Sequence, residues 1–215
     1  MTLSTKQPSM SQRLISAPLL GISLAYFMVL LDITVLAVAA PDMISSLHTN
    51  VVGVGWANTS YTIALAAILV LSGAMADKFG PARFFRLGTL AFGVLSLACA
   101  LSPDIGIVVA LRSLLGLAAA GVIPSSMALI AQLHEDTRMR AHAVSIWAAV
   151  SGAAMAAGPV LGGVLVQIFG WRSVFLVNVP LAVVALILVG GPRLANIRRE
   201  RALDPSPHLL LGRVS

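Results

Sequence analysis

"GAMADKFGPARFFRLG", residues 73–88, lies between two long apolar runs and has the make-up of a turn joining two helices. Gly73, lacking a Cβ, lets a neighbouring helix approach. Asp77, four residues on, can accept bonds from a helix N-terminus or from an arginine. Gly80 permits a tight turn, and Arg83 and Arg86 follow as basic anchors. A polar hairpin that merely anchors two helices would carry the same residues, so the flanking runs decide what it joins.

Those runs are two of six. Apolar segments span approximately 16–40, 52–76, 84–102, 105–131, 141–168 and 173–191, each near the roughly 20 residues a helix needs to cross hydrocarbon. The 215-residue chain is 58% hydrophobic and 10% charged, with a mean hydropathy of +0.95. Soluble domains carry roughly a quarter charged residues, so membrane is the class the composition selects. Backbone polar groups in lipid are satisfied only in helices or closed barrels, and these runs are too long and too unalternating for barrel strands. The reading is an all-α membrane protein of six transmembrane helices. It divides into a cytoplasmic N-terminal segment (1–15), a six-helix domain (16–191) and a basic tail (192–215).

The net charge of +6 is a matter of topology. Lys6 and Arg13 precede the first span; Lys78, Arg83 and Arg86 follow the second; Arg138 and Arg140 follow the fourth; Arg193, Arg198, Arg199, Arg201 and Arg213 follow the sixth. The positive-inside rule then places both termini in the cytoplasm, and no nucleic-acid partner is implied. "AVA" at 37–39 has the form of a signal-peptide cleavage site, but its apolar region would exceed the usual length and would contain Asp32.

Four further stretches join the opening one in a pattern. "ALRSLLGLAAAG" (110–121) places Arg112 and Gly116 in the fourth span, and "GAAMAAGPVLGG" (152–163) places Gly158, Pro159, Gly162 and Gly163 in the fifth. "LLDITVLAVAAPDM" (30–43) and "GWRSVFLVNVP" (170–180) occupy the first and sixth. With "GAMADKFGPARFFRLG" as the loop signature, this set resembles the major facilitator superfamily, in the drug:proton antiporter branch with fourteen spans. Pro81, Ala82, Leu115 and Ala37 depart from the usual residues of those signatures. The resemblance covers roughly residues 13–192. It implies the N-terminal half of such a transporter, two inverted three-helix repeats with helices one and four equivalent. It also implies a cytoplasmic gate at Gly73, Asp77, Gly80, Arg83 and Arg86, and an antiporter element at Gly158, Pro159, Gly162 and Gly163.

Asp32 and Arg112 are ionisable residues inside spans, which marks a functional site with a partner. Asp32 lies nine residues before Pro41, the expected outer end of helix one, hence roughly 13 Å deep. Arg112 lies eight residues after Asp104, hence roughly 12 Å deep. At matching depth they are expected to face one polar cavity and interact, Asp32 taking and releasing a coupling proton. A static pair that fixes helix packing would use the same residues. Asn58, Tyr61 and Asn178 are candidates to line the pathway or to make interhelical packing bonds. Ala154, Gly158 and Gly162 recur every fourth residue, a nearly bare face for a close neighbour.

His48, His134, His142 and His208 lack metal-ligand spacing, and no nucleophile triad, phosphate loop or dinucleotide fingerprint is present. Cys99 alone forms no intramolecular disulfide. Trp56, Trp147 and Trp171 read as interface anchors or packing. No enzyme activity or cofactor is implied, only the proton. The expected function is proton-coupled efflux of small drug-like compounds across the inner (plasma) membrane. The alternative is a truncated, non-transporting fragment, or a membrane regulatory or binding subunit of a full-length transporter. The partners are the substrate, protons, the bilayer, and a second half-transporter or a homodimer.

Overall fold

The ends of the helices are closed by the residues whose chemistry suits them. The computed structural model describes residues 17–134 and 136–190, whose regular elements are all helical: α1 (Ala17–Ser46), α2 (Val51–Phe79), α3 (Pro81–Ala100), α4 (Ile105–Leu133), α5 (Thr137–Phe169), α6 (Ser173–Leu176) and α7 (Asn178–Val189). Asn50, Asp104 and Asp136 cap α2, α4 and α5, their side chains accepting from the backbone N–H groups of Gly53, Ile107 and Met139 at 2.9, 3.0 and 2.9 Å. Gly80 and Gly170, at φ of 93° and 76°, take the left-handed backbone that ends α2 and α5. Pro81 then opens α3 at a position where a missing N–H costs nothing.

Five of the helices are long and apolar enough to cross a membrane; most ends shift by a few residues from the sequence expectation, and helices one and six depart from it further. Helix one does not end near Pro41: α1 runs through it to Ser46. The added turn is held from outside, because Asp42 Oδ2 accepts the Trp171 backbone N–H at 2.7 Å. The sixth span is interrupted in its hydrogen bonding: α6 and α7 meet at Val177, whose backbone stays helical at φ −63° and ψ −27°, because Pro180 cannot donate to Leu176 and its ring crowds that carbonyl. The expected N-terminal segment and basic tail, with Lys6, Arg13, His208 and the arginines from Arg193 onward, lie outside the described residues.

Packing follows an exchange symmetry. α1 packs on α5 and α7, as α4 packs on α2 and α3, while α3 and α7 pack on each other. Swapping the first three spans with the last three maps each contact onto another, the arrangement of two inverted repeats. α1 and α4 are the most enclosed helices, α2 and α5 the most open.

The close crossings are made where a side chain is missing, because helices in lipid attract one another by contact rather than by a hydrophobic force. A Cβ on Gly158 would collide with Thr34 Oγ1 and lie 2.7 Å from Thr34 Cβ. One on Gly162 would lie 3.1 Å from Val35 Cγ1, so the bare face expected in α5 is seated on α1. A Cβ on Gly21 would meet Leu188 Cβ at 2.8 Å, bringing α1 against α7.

Candidate functional site

Gly116, one turn beyond Arg112, removes the bulk that would hold α4 away from α2: a Cβ there would collide with Tyr61 O and lie 3.1 Å from Leu65 N. The close approach lets Arg112 reach across. Its Nε donates to Ala57 O on α2 at 3.3 Å, Nη1 pairs with Asp32 Oδ2 on α1, and Nη2 lies 3.5 Å from Asn58 Oδ1. The guanidinium carbon sits 4.3 Å from the centre of the Tyr61 ring, within cation–π range.

Asp32 is held from the other side as well. Asn178, the first residue of α7, donates through Nδ2 to Asp32 Oδ1 at 3.0 Å and to Ser96 Oγ at 2.9 Å. Ser96 Oγ in turn donates to Phe175 O, in α6, at 3.1 Å. Asp32, Arg112, Ser96 and Asn178 are all 0–2% exposed, so five spans meet at a dry polar network. Desolvating two charges is costly, and attraction repays it only where the charged groups are well bonded: both Asp32 oxygens and all three Arg112 nitrogens have partners here, while Asn178 Oδ1 and the Tyr61 hydroxyl have none. Tyr61, Cys99 and Tyr26 are the further titratable groups around it.

The expected pairing of Asp32 with Arg112 is therefore direct. Its expected setting is not: the pair does not line an open polar cavity. With both carboxylate oxygens engaged, the helices close around it, and Asp32 is 1% exposed. An open groove of about 450 Å³ lies instead between α1 and α2, lined by Leu36, Ala37, Ala40, Pro41, Ile44, Val51, Val54, Gly55 and Asn58. Asn58 joins the two features, exposed on the groove and within reach of Arg112.

All three candidate lining residues, Asn58, Tyr61 and Asn178, touch this network. Ser96 was missed, since a serine in "GVLSLACA" looks like any small residue of an apolar run. The expected gate is assembled only in part. Gly80 makes the turn, but among the described residues Asp77 is exposed and pairs with neither Arg83 nor Arg86; Arg86 Nε folds back onto Ala82 O at 3.1 Å. Gly73 is not a point of close approach, for a Cβ there would find only Pro124 Cβ at 3.8 Å. In the α5 motif, Gly158 and Gly162 face α1, a Cβ on Gly163 would meet nothing within 4 Å, and the exposed Pro159 is accommodated without breaking the helix.

Trp147 is not an isolated anchor: it stacks on Tyr26 of α1 with ring centres 4.2 Å apart. Trp171 is buried and meets Phe175 edge-on, whereas Trp56 is exposed. Among the described residues no group of His, Cys, Asp and Glu has the make-up of a metal site.

Comparison with known proteins agrees with this architecture. Residues 22–209 match the family model of the Major Facilitator Superfamily. The chain is similar to the methylenomycin A resistance protein of Bacillus subtilis, 41% identical over 79% of this chain and 36% of that protein. It is similar also to the tetracenomycin C resistance and export protein of Streptomyces glaucescens, 38% identical over 86% of this chain and 34% of that one. The chain thus spans about a third of the length of these curated relatives. Its fold matches the crystal structure of a bacterial homologue of the human lysosomal transporter Spinster in an inward-facing, unoccupied conformation, with a TM-score of 0.71 at 20% identity, over 84% of this chain and 43% of that one.

Proposed function

Because the chain belongs to the Major Facilitator Superfamily and is a multi-pass membrane protein of a transporter family, we propose that it forms the first six-helix half of a proton-coupled exporter of small drug-like compounds. Export is what the name of the Streptomyces glaucescens relative states for that protein, and resistance is what both names state. The observation that carries the reading is the buried Asp32–Arg112 pair on the two most enclosed helices. A proton and Arg112 compete for the same carboxylate. When a proton binds Asp32, the ionic hold on Arg112 is lost; when it leaves, the pair reforms. A charge change of this kind in a dry site weighs far more than it would in water, so it can bias two packings of the same helices.

The apolar groove between α1 and α2, with Asn58 reporting to Arg112, supplies a place where an apolar compound sits next to that equilibrium. The open faces of α2 and α5 are where a second six-helix unit completes the path. Twelve of the chain's fourteen Lys and Arg lie in cytoplasmic segments on this reading, with both termini on the cytoplasmic side of the plasma membrane. Flux of a fluorescent cation such as ethidium into everted vesicles carrying the chain tests the reading. Accumulation that rises with an imposed pH gradient supports it, and accumulation indifferent to the gradient counts against it.

A further inference from the structure

The polar chain that runs from Asp32 to the interrupted sixth span has a definite direction. An ionised carboxylate can only accept, and the Asn178 Nδ2 group can only donate, with two hydrogens and two partners, Asp32 Oδ1 and Ser96 Oγ. Ser96 has one hydrogen, and it goes to Phe175 O. Phe175 lies in the four-residue α6, two residues before the junction at Val177 and next to Leu176, whose carbonyl has no helical donor because Pro180 lacks an N–H. Every bond points in the sense set by the negative charge at Asp32. One atom is left over: Asn178 Oδ1 is buried and has no partner.

We propose that Asn178 and Ser96 are positioning residues that convert protonation of Asp32 into release of the α6–α7 junction. A proton on Asp32 Oδ1 would face the Nδ2 donor, so two donors would meet. Rotation of the Asn178 amide by half a turn resolves this by bringing the orphan Oδ1 to the same place. Oδ1 then accepts the proton-bearing Asp32 Oδ1 and also the Ser96 hydroxyl, whose single hydrogen swings away from Phe175 O. That carbonyl loses its Ser96 donor, and the junction beside Val177 and Pro180 loosens. No covalent bond changes; one proton is taken up by the carboxylate and one hydroxyl hydrogen is redirected. The flipped arrangement makes two of these bonds in place of three and turns Nδ2 to where Oδ1 had no partner, so the junction stays bonded until a proton on Asp32 selects the flip.

The charged and titratable groups that surround this switch are Arg112 on α4, Tyr61 on α2, Cys99 on α3 and Tyr26 on α1. The inference rests on the proposed role of Asp32 as proton carrier, but its test needs no transport. Hydrogen exchange of the chain in lipid nanodiscs, corrected for the intrinsic pH dependence of exchange, reads protection at Val177, Asn178 and Val179 relative to the α2–α3 turn. In the unaltered chain that relative protection should fall about fivefold as pH is lowered from about 9 to about 5, the effect of losing roughly one net hydrogen bond. Ser96→Ala should be in the low-protection state at every pH, while Ser96→Thr, which keeps the hydroxyl, should follow the unaltered chain. Asn178→Leu should abolish the pH response if Ser96→Ala does not yield a folded protein.

Constant protection across that range in the unaltered chain, or a full pH response in Ser96→Ala or Asn178→Leu, would overturn the switch. Gradient-driven flux with an unresponsive junction would remove the switch and leave proton coupling standing. A responsive junction without flux would do the reverse.

Discussion

Gly158 and Gly163 belong to one short motif, yet the packing of α5 on α1 assigns them opposite costs. A Cβ at Gly158 would occupy the position of Thr34 Oγ1 and lie 2.7 Å from Thr34 Cβ. Thr34 cannot turn away cheaply, since its hydroxyl already donates to Leu31 O at 2.9 Å. Gly158→Ala must therefore push α1 and α5 apart, an overpacking cost of about 1–3 kcal/mol. At Gly163 nothing lies within 4 Å, so Gly163→Ala meets no obstacle and gains the helix preference of alanine, up to about 1 kcal/mol. That gain is common to both positions, so the two variants should differ by the overpacking cost alone, about 1–3 kcal/mol or roughly 5- to 150-fold in the unfolding equilibrium. Reversible unfolding of the purified chain in mixed micelles with increasing SDS measures it. Thr34→Ala should recover part of the loss in the Gly158→Ala background and none in the Gly163→Ala background. Equal stability of the two alanine variants would refute the assignment of Gly158 to the helix crossing.

Two further outcomes follow from the same contacts. Removing one partner of the buried pair, by Asp32→Asn or Arg112→Leu, should cost about 3–5 kcal/mol in the same unfolding assay, whereas the double variant should recover much of it because no unpaired charge is left in the dry site. Asp42→Ala, which strips the Trp171 backbone N–H of its acceptor, should cost about 1–3 kcal/mol, and Asp42→Asn less because an acceptor remains; thermal melting of the micellar chain reads both.

The helices themselves were legible because the apolar runs and their polar connectors follow from what lipid tolerates. Asp32 and Arg112 were legible for the complementary reason, that an ionisable residue in such a run needs a partner at its own depth. Pro180 stood in plain sight, but a proline alone does not say whether a helix bends, continues or is interrupted: Pro41 and Pro159 are carried within their helices, while Pro180 marks an interruption in the hydrogen bonding. Ser96 and Thr34 were invisible because their importance comes from partners on other helices, Asn178 and Gly158, and nothing in the local run signals it. The expected ion pair of the gate is absent among the described residues for a related reason. The spacing of Asp77, Arg83 and Arg86 allows an ion pair, but exposed charges gain little by pairing, and Arg86 finds a carbonyl on its own helix instead.

Central to the account is that Asp32 carries the coupling proton, and gradient-driven accumulation compared with passive exchange tests this directly. In everted vesicles, Asp32→Asn should abolish accumulation of ethidium against its gradient while leaving counterflow of preloaded ethidium in place, since the neutral side chain can no longer exchange a proton. Accumulation by Asp32→Asn that remains as steep in imposed pH gradient as that of the unaltered chain would contradict it.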